Sequence, residues 1–129
     1  KDPLFPFGYG MSYTSFEYSD IRLSKTEINP DESVEVTLTL KNTGKMAGAE
    51  IVQCYIQDEF ASAARPVREL ADFKKIFLQP GESIEVKMQI SPSAMSFYDI
   101  NMNYSMEKGR FKVFVGKDSD APLVGTFRL

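Results

Sequence analysis

Histidine and tryptophan are absent from the 129 residues, and cysteine occurs once. Without histidine, Ser-His-Asp and Cys-His nucleophile arrangements are excluded. Zinc also loses its commonest ligand, and one cysteine does not replace it. A single cysteine forbids an internal disulfide, so nothing covalent staples the fold. No apolar run approaches the ~20 residues that span a bilayer, and no secretory leader is visible. Neither sign of charge dominates: 15 basic and 18 acidic residues are interspersed, for a formal net charge of −3. No basic stripe shows, so nucleic acid is not an expected partner. Walker and dinucleotide glycine spacings are missing, as is any internal repeat. The chain opens at Lys1 rather than Met, and KDPLFPFGYG reads as a linker entering a domain. The expectation is a piece of a longer polypeptide.

What is present is a series of short, alternating apolar runs between Pro, Gly and Asx turns. The length suits one domain, and a chain of this size buries roughly two thirds of its unfolded surface. Phe16–Ser24 reads as a first strand. Phe16 and Tyr18 share one parity and Ile21 and Leu23 the other, so a register break is expected near Ser19-Asp20. Ser33–Lys41 alternates cleanly, with Val34, Val36, Leu38 and Leu40 inward. Val52, Cys54 and Ile56 alternate with Gln53, Tyr55 and Gln57 in the next strand, and the lone cysteine reads there as a small buried hydrophobe. Val67–Leu78 resumes the apolar content without clean alternation, which predicts a bulge near Lys74–Ile76. Gln79-Pro80-Gly81-Glu82 is a turn with Gly81 at the position needing positive φ, and Asn29-Pro30-Asp31-Glu32 is another. Ser83–Ile90 alternates again, Ser91–Asp99 reads as a corner with one helical turn started by Ser91-Pro92, and Arg110–Gly116 and Leu123–Leu129 complete the set. About seven strands and no long helix predict an all-β, antiparallel β-sandwich of immunoglobulin or fibronectin type III-like kind. A jelly roll or small barrel is the alternative.

Several segments, in order, carry a resemblance: PLFPFGYGMSYTSF, NTGKMAGAEIVQCYIQD, RPVRELADFKKIFLQPGE, MSFYD and GRFKVFVGKDSD. Together they cover nearly the whole chain, and the chain resembles the C-terminal fibronectin type III-like domain of glycoside hydrolase family 3 enzymes of the bacterial periplasmic β-glucosidase type. The resemblance implies an interdomain linker arm over 1–15 and a sandwich over 16–129. It also implies a periplasmic or secreted parent that removes terminal β-linked sugars by a retaining mechanism. In that family the nucleophilic aspartate and the acid/base glutamate belong to upstream barrel and α/β domains, and their motifs do not occur here. The partner it implies is therefore the set of upstream catalytic domains of the same polypeptide.

The residues agree that chemistry is not expected here. Glycoside hydrolysis needs two carboxyl groups about 5–9.5 Å apart. Glu35 and Glu85 fall on outward strand parities, Glu32 and Glu82 in turns, and Asp58 and Glu59 at a strand end. Asp118-Ser119-Asp120 resembles part of a calcium loop but lacks its Gly and distal Glu, and reads as a solvated turn. No catalytic residue, metal or cofactor is assigned. Candidate interdomain contacts are Phe5, Phe7 and Tyr9 in the arm, the Asp58–Arg65 loop, and Arg65 with Arg68 around Pro66-Val67. Arginine suits planar docking to a carboxylate; otherwise the two are surface partners of Glu69 and Asp72. A different class of reading is a free-standing carbohydrate-binding or adhesive module, with Phe5, Phe7, Tyr9 and Tyr13 as a stacking platform.

Overall fold

The computed structural model describes residues 14–59, 68–95 and 109–129, together with the backbone of 97–98 and 104–105. Among the described residues nine strands follow in chain order: β1 (Phe16–Leu23), β2 (Val34–Asn42), β3 (Gly48–Asp58), β4 (Glu69–Leu78), β5 (Ser83–Ile90), β6 (Phe97–Tyr98), β7 (Tyr104–Ser105), β8 (Arg110–Gly116) and β9 (Leu123–Arg128). A single 3-10 turn, Pro92–Met95, lies between β5 and β6. β1-β2-β5 form one antiparallel sheet and β4-β3-β8-β9 the other, with β6-β7 a separate short pair. The seven long strands therefore make the antiparallel β-sandwich that the alternating runs predict.

Between the sheets, the inward parity of each strand meets its counterpart. Val34, Val36, Leu38 and Leu40 of β2 are fully buried, opposite Val52, Cys54 and Ile56 of β3 and Phe111, Val113 and Val115 of β8. The four β2 side chains alone contribute gross burial energy of about 6–12 kcal/mol, before chain entropy opposes it. Phe111 and Phe127 stack with ring centroids 5.2 Å apart.

The break expected in β1 is present. Ser19 pairs with Thr39 and Arg22 with Thr37, so two β1 residues oppose Leu38, and Asp20 takes a φ of 51°. The bulge predicted at Lys74–Ile76 is not there: pairing with β3 is regular from Asp72 to Leu78, and the register shifts instead at Ala71, between Asp72 opposite Cys54 and Leu70 opposite Tyr55. The reason is Asp72. One carboxylate oxygen accepts from the Phe73 N–H at 2.8 Å and the other from the Gln89 N–H of β5 at 2.9 Å. The shift thus lets the edge strand of one sheet satisfy an edge donor of the other, a closure that blunts both edges. At the opposite side, residues 26–28 run beside β9, with Arg128 N–H donating to Thr26 O and Ile28 N–H to Arg128 O.

Candidate functional site

The two outer faces of the sandwich differ in chemistry, and the alternation of each strand decides what they carry. On the three-stranded sheet, the outward positions hold Glu17, Arg22, Glu35, Thr37, Thr39, Lys41, Glu85 and Lys87. Both signs occur and they pair: Arg22 reaches Glu85 at 3.1 Å and Lys87 lies 3.9 Å from it. A shallow depression of about 270 Å³ lies here, lined by Arg22, Leu23, Ser24, Glu35, Thr37, Glu85 and Lys87. Its two carboxylates do not make a hydrolytic pair. Glu85 stands opposite Thr39, four positions from Glu35 along β2, a backbone separation of roughly 13 Å at strand rise. Glu85 is also held by Arg22, and Glu35 accepts from Gln89 Nε2.

On the four-stranded sheet, β4 is apolar on both parities. Ile76 and Leu78 face the core, while Leu70, Phe73 and Phe77 face outward with relative exposures of 48%, 56% and 62%. Leu70 stands opposite Tyr55, Tyr55 opposite Phe114, and Phe114 opposite Leu123, so one row crosses all four strands. Leu123 is 54% exposed, whereas Phe114 is covered. Its cover is Arg68, whose guanidinium carbon lies 3.7 Å from the ring centroid, a cation–π contact. Arg68 Nη1 also donates to Ser119 O and Ala121 O, each at 2.8 Å. These bonds brace β4 against the β8–β9 turn, rather than joining Arg68 to Glu69 or Asp72. Phe5, Phe7, Tyr9 and Arg65 lie outside the described residues, as does most of the Asp58–Arg65 loop.

Buried polar groups serve the fold. Tyr18 on β1 donates its hydroxyl to Glu50 on β3 at 2.9 Å, tying one sheet to the other. Burial raises the pKa of both groups, and for Glu50 it outweighs the lowering by the Tyr18 hydroxyl and by Lys117. Burial also pushes the Cys54 thiol up to about 12, so the thiolate needed for nucleophilic chemistry is suppressed. Asn42, at the end of β2, is fully buried with four side-chain bonds. Its Nδ2 donates to Met46 O at 2.9 Å and Leu78 O at 3.0 Å, and its Oδ1 accepts from Gly44 N–H at 2.9 Å and the Thr14 hydroxyl at 3.0 Å. The segment entering the sandwich is therefore seated beside the end of β4. Gly44 lets it approach, since a Cβ there would lie 2.9 Å from the Ser15 nitrogen. Among the described residues no group of three or more His, Cys, Asp or Glu is placed to hold a metal ion, and no helix is long and apolar enough to cross a membrane.

Known proteins share this architecture and sequence. A family profile, the fibronectin type III-like domain, matches residues 50–119. A β-glucosidase of Bacteroides ovatus is 51% identical over 91% of this chain, and a periplasmic β-glucosidase of Salmonella typhimurium 45% identical over 98%. The chain spans only 16% and 17% of those relatives' length. The crystal structure of a Listeria innocua β-glucosidase in complex with gluconolactone superposes with a TM-score of 0.84 at 40% identity, covering 98% of this chain and 18% of that one. Motifs, sandwich topology and these matches agree, and the chain belongs to the fibronectin type III-like domain family found in glycoside hydrolase family 3 β-glucosidases.

Proposed function

We propose that the chain is a non-catalytic accessory domain of a family 3 β-glucosidase-like glycoside hydrolase, packed on the catalytic domains and steadying them. The observation that carries this reading is one of proportion. Nearly the whole chain aligns with about a sixth of each glucosidase, leaving the rest of those enzymes without a counterpart here. The described residues support it: the two carboxylates lining the depression on the three-stranded sheet stand too far apart along β2, and the thiol is buried. The parent would hydrolyse terminal β-linked sugars with residues upstream of this domain, as a periplasmic or secreted enzyme in keeping with the Salmonella relative. Residues 1–15 would be the linker arm, with Phe5, Phe7, Tyr9, Arg65 and Arg68 among the contacts.

The test is truncation of the full-length enzyme before Lys1, followed by thermal unfolding of its catalytic portion. A lower melting temperature is expected, and an unchanged one would sink the stabilising role. Alanine at Phe5, Phe7 and Tyr9 together should reproduce part of the loss. The chain alone should leave an aryl β-glucoside uncleaved. A free-standing carbohydrate-binding module is disfavoured by the missing tryptophan. Calorimetric titration with cello- and laminari-oligosaccharides should give no saturable heat.

A further inference from the structure

We infer that the outer face of the β4-β3-β8-β9 sheet, centred on Phe73 and Phe77, is the surface that docks on the upstream part of the parent polypeptide, and that it meets an apolar patch rimmed by carboxylates. The inference rests on the accessory-domain reading and goes beyond it by choosing the face and the chemistry of its counterpart.

Three observations choose it. The first is apolar exposure. Leu70, Phe73, Phe77 and Leu123 project from one sheet face, with Ile51 and Tyr55 half-buried between them. A solvated sheet face ordinarily alternates to polar residues, as the three-stranded sheet does here. Contiguous apolar exposure of this kind marks a contact surface.

The second is charge. The charged residues at outward strand positions of this sheet are Lys75, Arg110, Lys112 and Arg128, and no Asp or Glu occupies such a position. Arg68 adds a fifth cation over Phe114. The chain carries more acids than bases, so this segregation is a property of the face and not of the composition. Acids border the face only at its margins: Glu27 stands beside Arg128, the Glu59 N–H donates to Arg110 O, and Asp118 and Asp120 lie in the β8–β9 turn, which leaves Lys75 and Lys112, with Arg68 over Phe114, as the cations without an acid opposite. A partner with carboxylates around an apolar centre matches the face; a cationic one is repelled.

The third is size. With aromatic side chains of roughly 150–250 Å² each, the exposed parts of the four apolar side chains come to about 400 Å². Counted on both partners, that falls within the roughly 600–1,500 Å² of interfaces between domains of one chain. A tethered partner, which needs no free association, fits better than a second copy. The attachment point agrees, since Thr14 is bonded through Asn42 to the carbonyl of Leu78, the residue after Phe77.

The experiment uses the full-length enzyme with the photo-crosslinker p-benzoylphenylalanine installed singly at Phe73, at Phe77 or, on the opposite face, at Thr39. All three side chains point outward, so the larger aromatic is accommodated without entering the core. The expected result is crosslinking from positions 73 and 77 to peptides upstream of this domain, and none from position 39. Loss of those crosslinks in the Lys75→Glu/Lys112→Glu variant would follow from the charge argument. No upstream crosslink from either Phe position overturns the inference, whatever position 39 does. Crosslinks at dimer mass assign the face to a second copy, and a saturable oligosaccharide heat lost in Phe73→Ala assigns it to sugar; either overturns the inference. The accessory reading is scored separately, by the melting temperature of the truncated enzyme.

Discussion

At the scale of single residues, buried polar side chains decide more than the number of their bonds suggests. Asn42 satisfies two carbonyl acceptors, of Met46 and Leu78, and two donors, the Gly44 N–H and the Thr14 hydroxyl. Removing its amide strands the Leu78 carbonyl at a buried site and the Met46 carbonyl and Gly44 N–H at part-buried ones. Each unsatisfied group costs about 1–3 kcal/mol, so Asn42→Ala should lower unfolding free energy by about 3 kcal/mol in urea denaturation. Glu50 makes a pH-dependent contribution. Burial holds its folded pKa above the ordinary 4.5, so the folded state binds the proton more tightly than the unfolded chain. The stability this confers is fully present below 4.5 and is lost as pH rises through the folded value. Gln at position 50 keeps an acceptor for Tyr18 and removes the titration. The stability difference, Glu50→Gln minus parent sequence, should therefore grow as pH is raised from 4 to 7; a flat difference would contradict it.

At the scale of elements, two turns show the same construction. In Asn29-Pro30-Asp31-Glu32 and in Gln79-Pro80-Gly81-Glu82, the fourth residue's N–H donates to the first residue's carbonyl at 3.0 Å. The Glu side chain then accepts from the first residue's N–H, at 2.7 Å and 2.8 Å respectively. The bonds are reciprocal, as in a helix capping box, and they hand β2 and β5 their starting directions. The turns differ at the third position, where Gly81 has a φ of 82°. A Cβ there would meet nothing within 4 Å, so the cost of Gly81→Ala is backbone strain alone. That strain is about 1–2 kcal/mol for an L-residue in the left-handed region. Thermal unfolding should register a loss of that order, and Asp31→Ala, without the positive φ, should register less.

At the scale of the molecule, the sandwich separates what must be buried within it from what is left for a partner. Leu38 is fully buried between the sheets, so Leu38→Ala should cost about 2–5 kcal/mol through lost transfer energy and a cavity. Phe73 and Phe77 are larger side chains but more than half exposed. Phe73→Ser/Phe77→Ser should cost the 129-residue chain much less and improve its solubility. Denaturation midpoints and light scattering on the two variants check both halves. In the full-length enzyme the ranking should tighten, because the two phenylalanines then have a neighbour to lose.

The period-2 runs of β2, β5 and β8 determined an all-β class by themselves, because burying one face of each strand leaves no other register for Val34, Val36, Leu38 and Leu40 or for Val86, Met88 and Ile90; the two-sheet sandwich, over a jelly roll or barrel, is a matter of which strands pair. The turns at Pro30 and Pro80-Gly81 and the break at Ser19-Asp20 were legible for an equally local reason: φ restriction and parity are properties of neighbouring residues. The resemblance of the segments to one family likewise needed no coordinates. Only the tertiary structure placed the β4 bulge at Ala71, since the cause is the Gln89 N–H in another sheet. It alone made Asn42 a buried junction, laid Arg68 across Phe114 on the outer face, and set Lys75 and Lys112 on that face apart from the paired charges of the other sheet. Such contacts join residues far apart in sequence, and their energies depend on which strands lie adjacent, a property that the order of residues along the chain does not display.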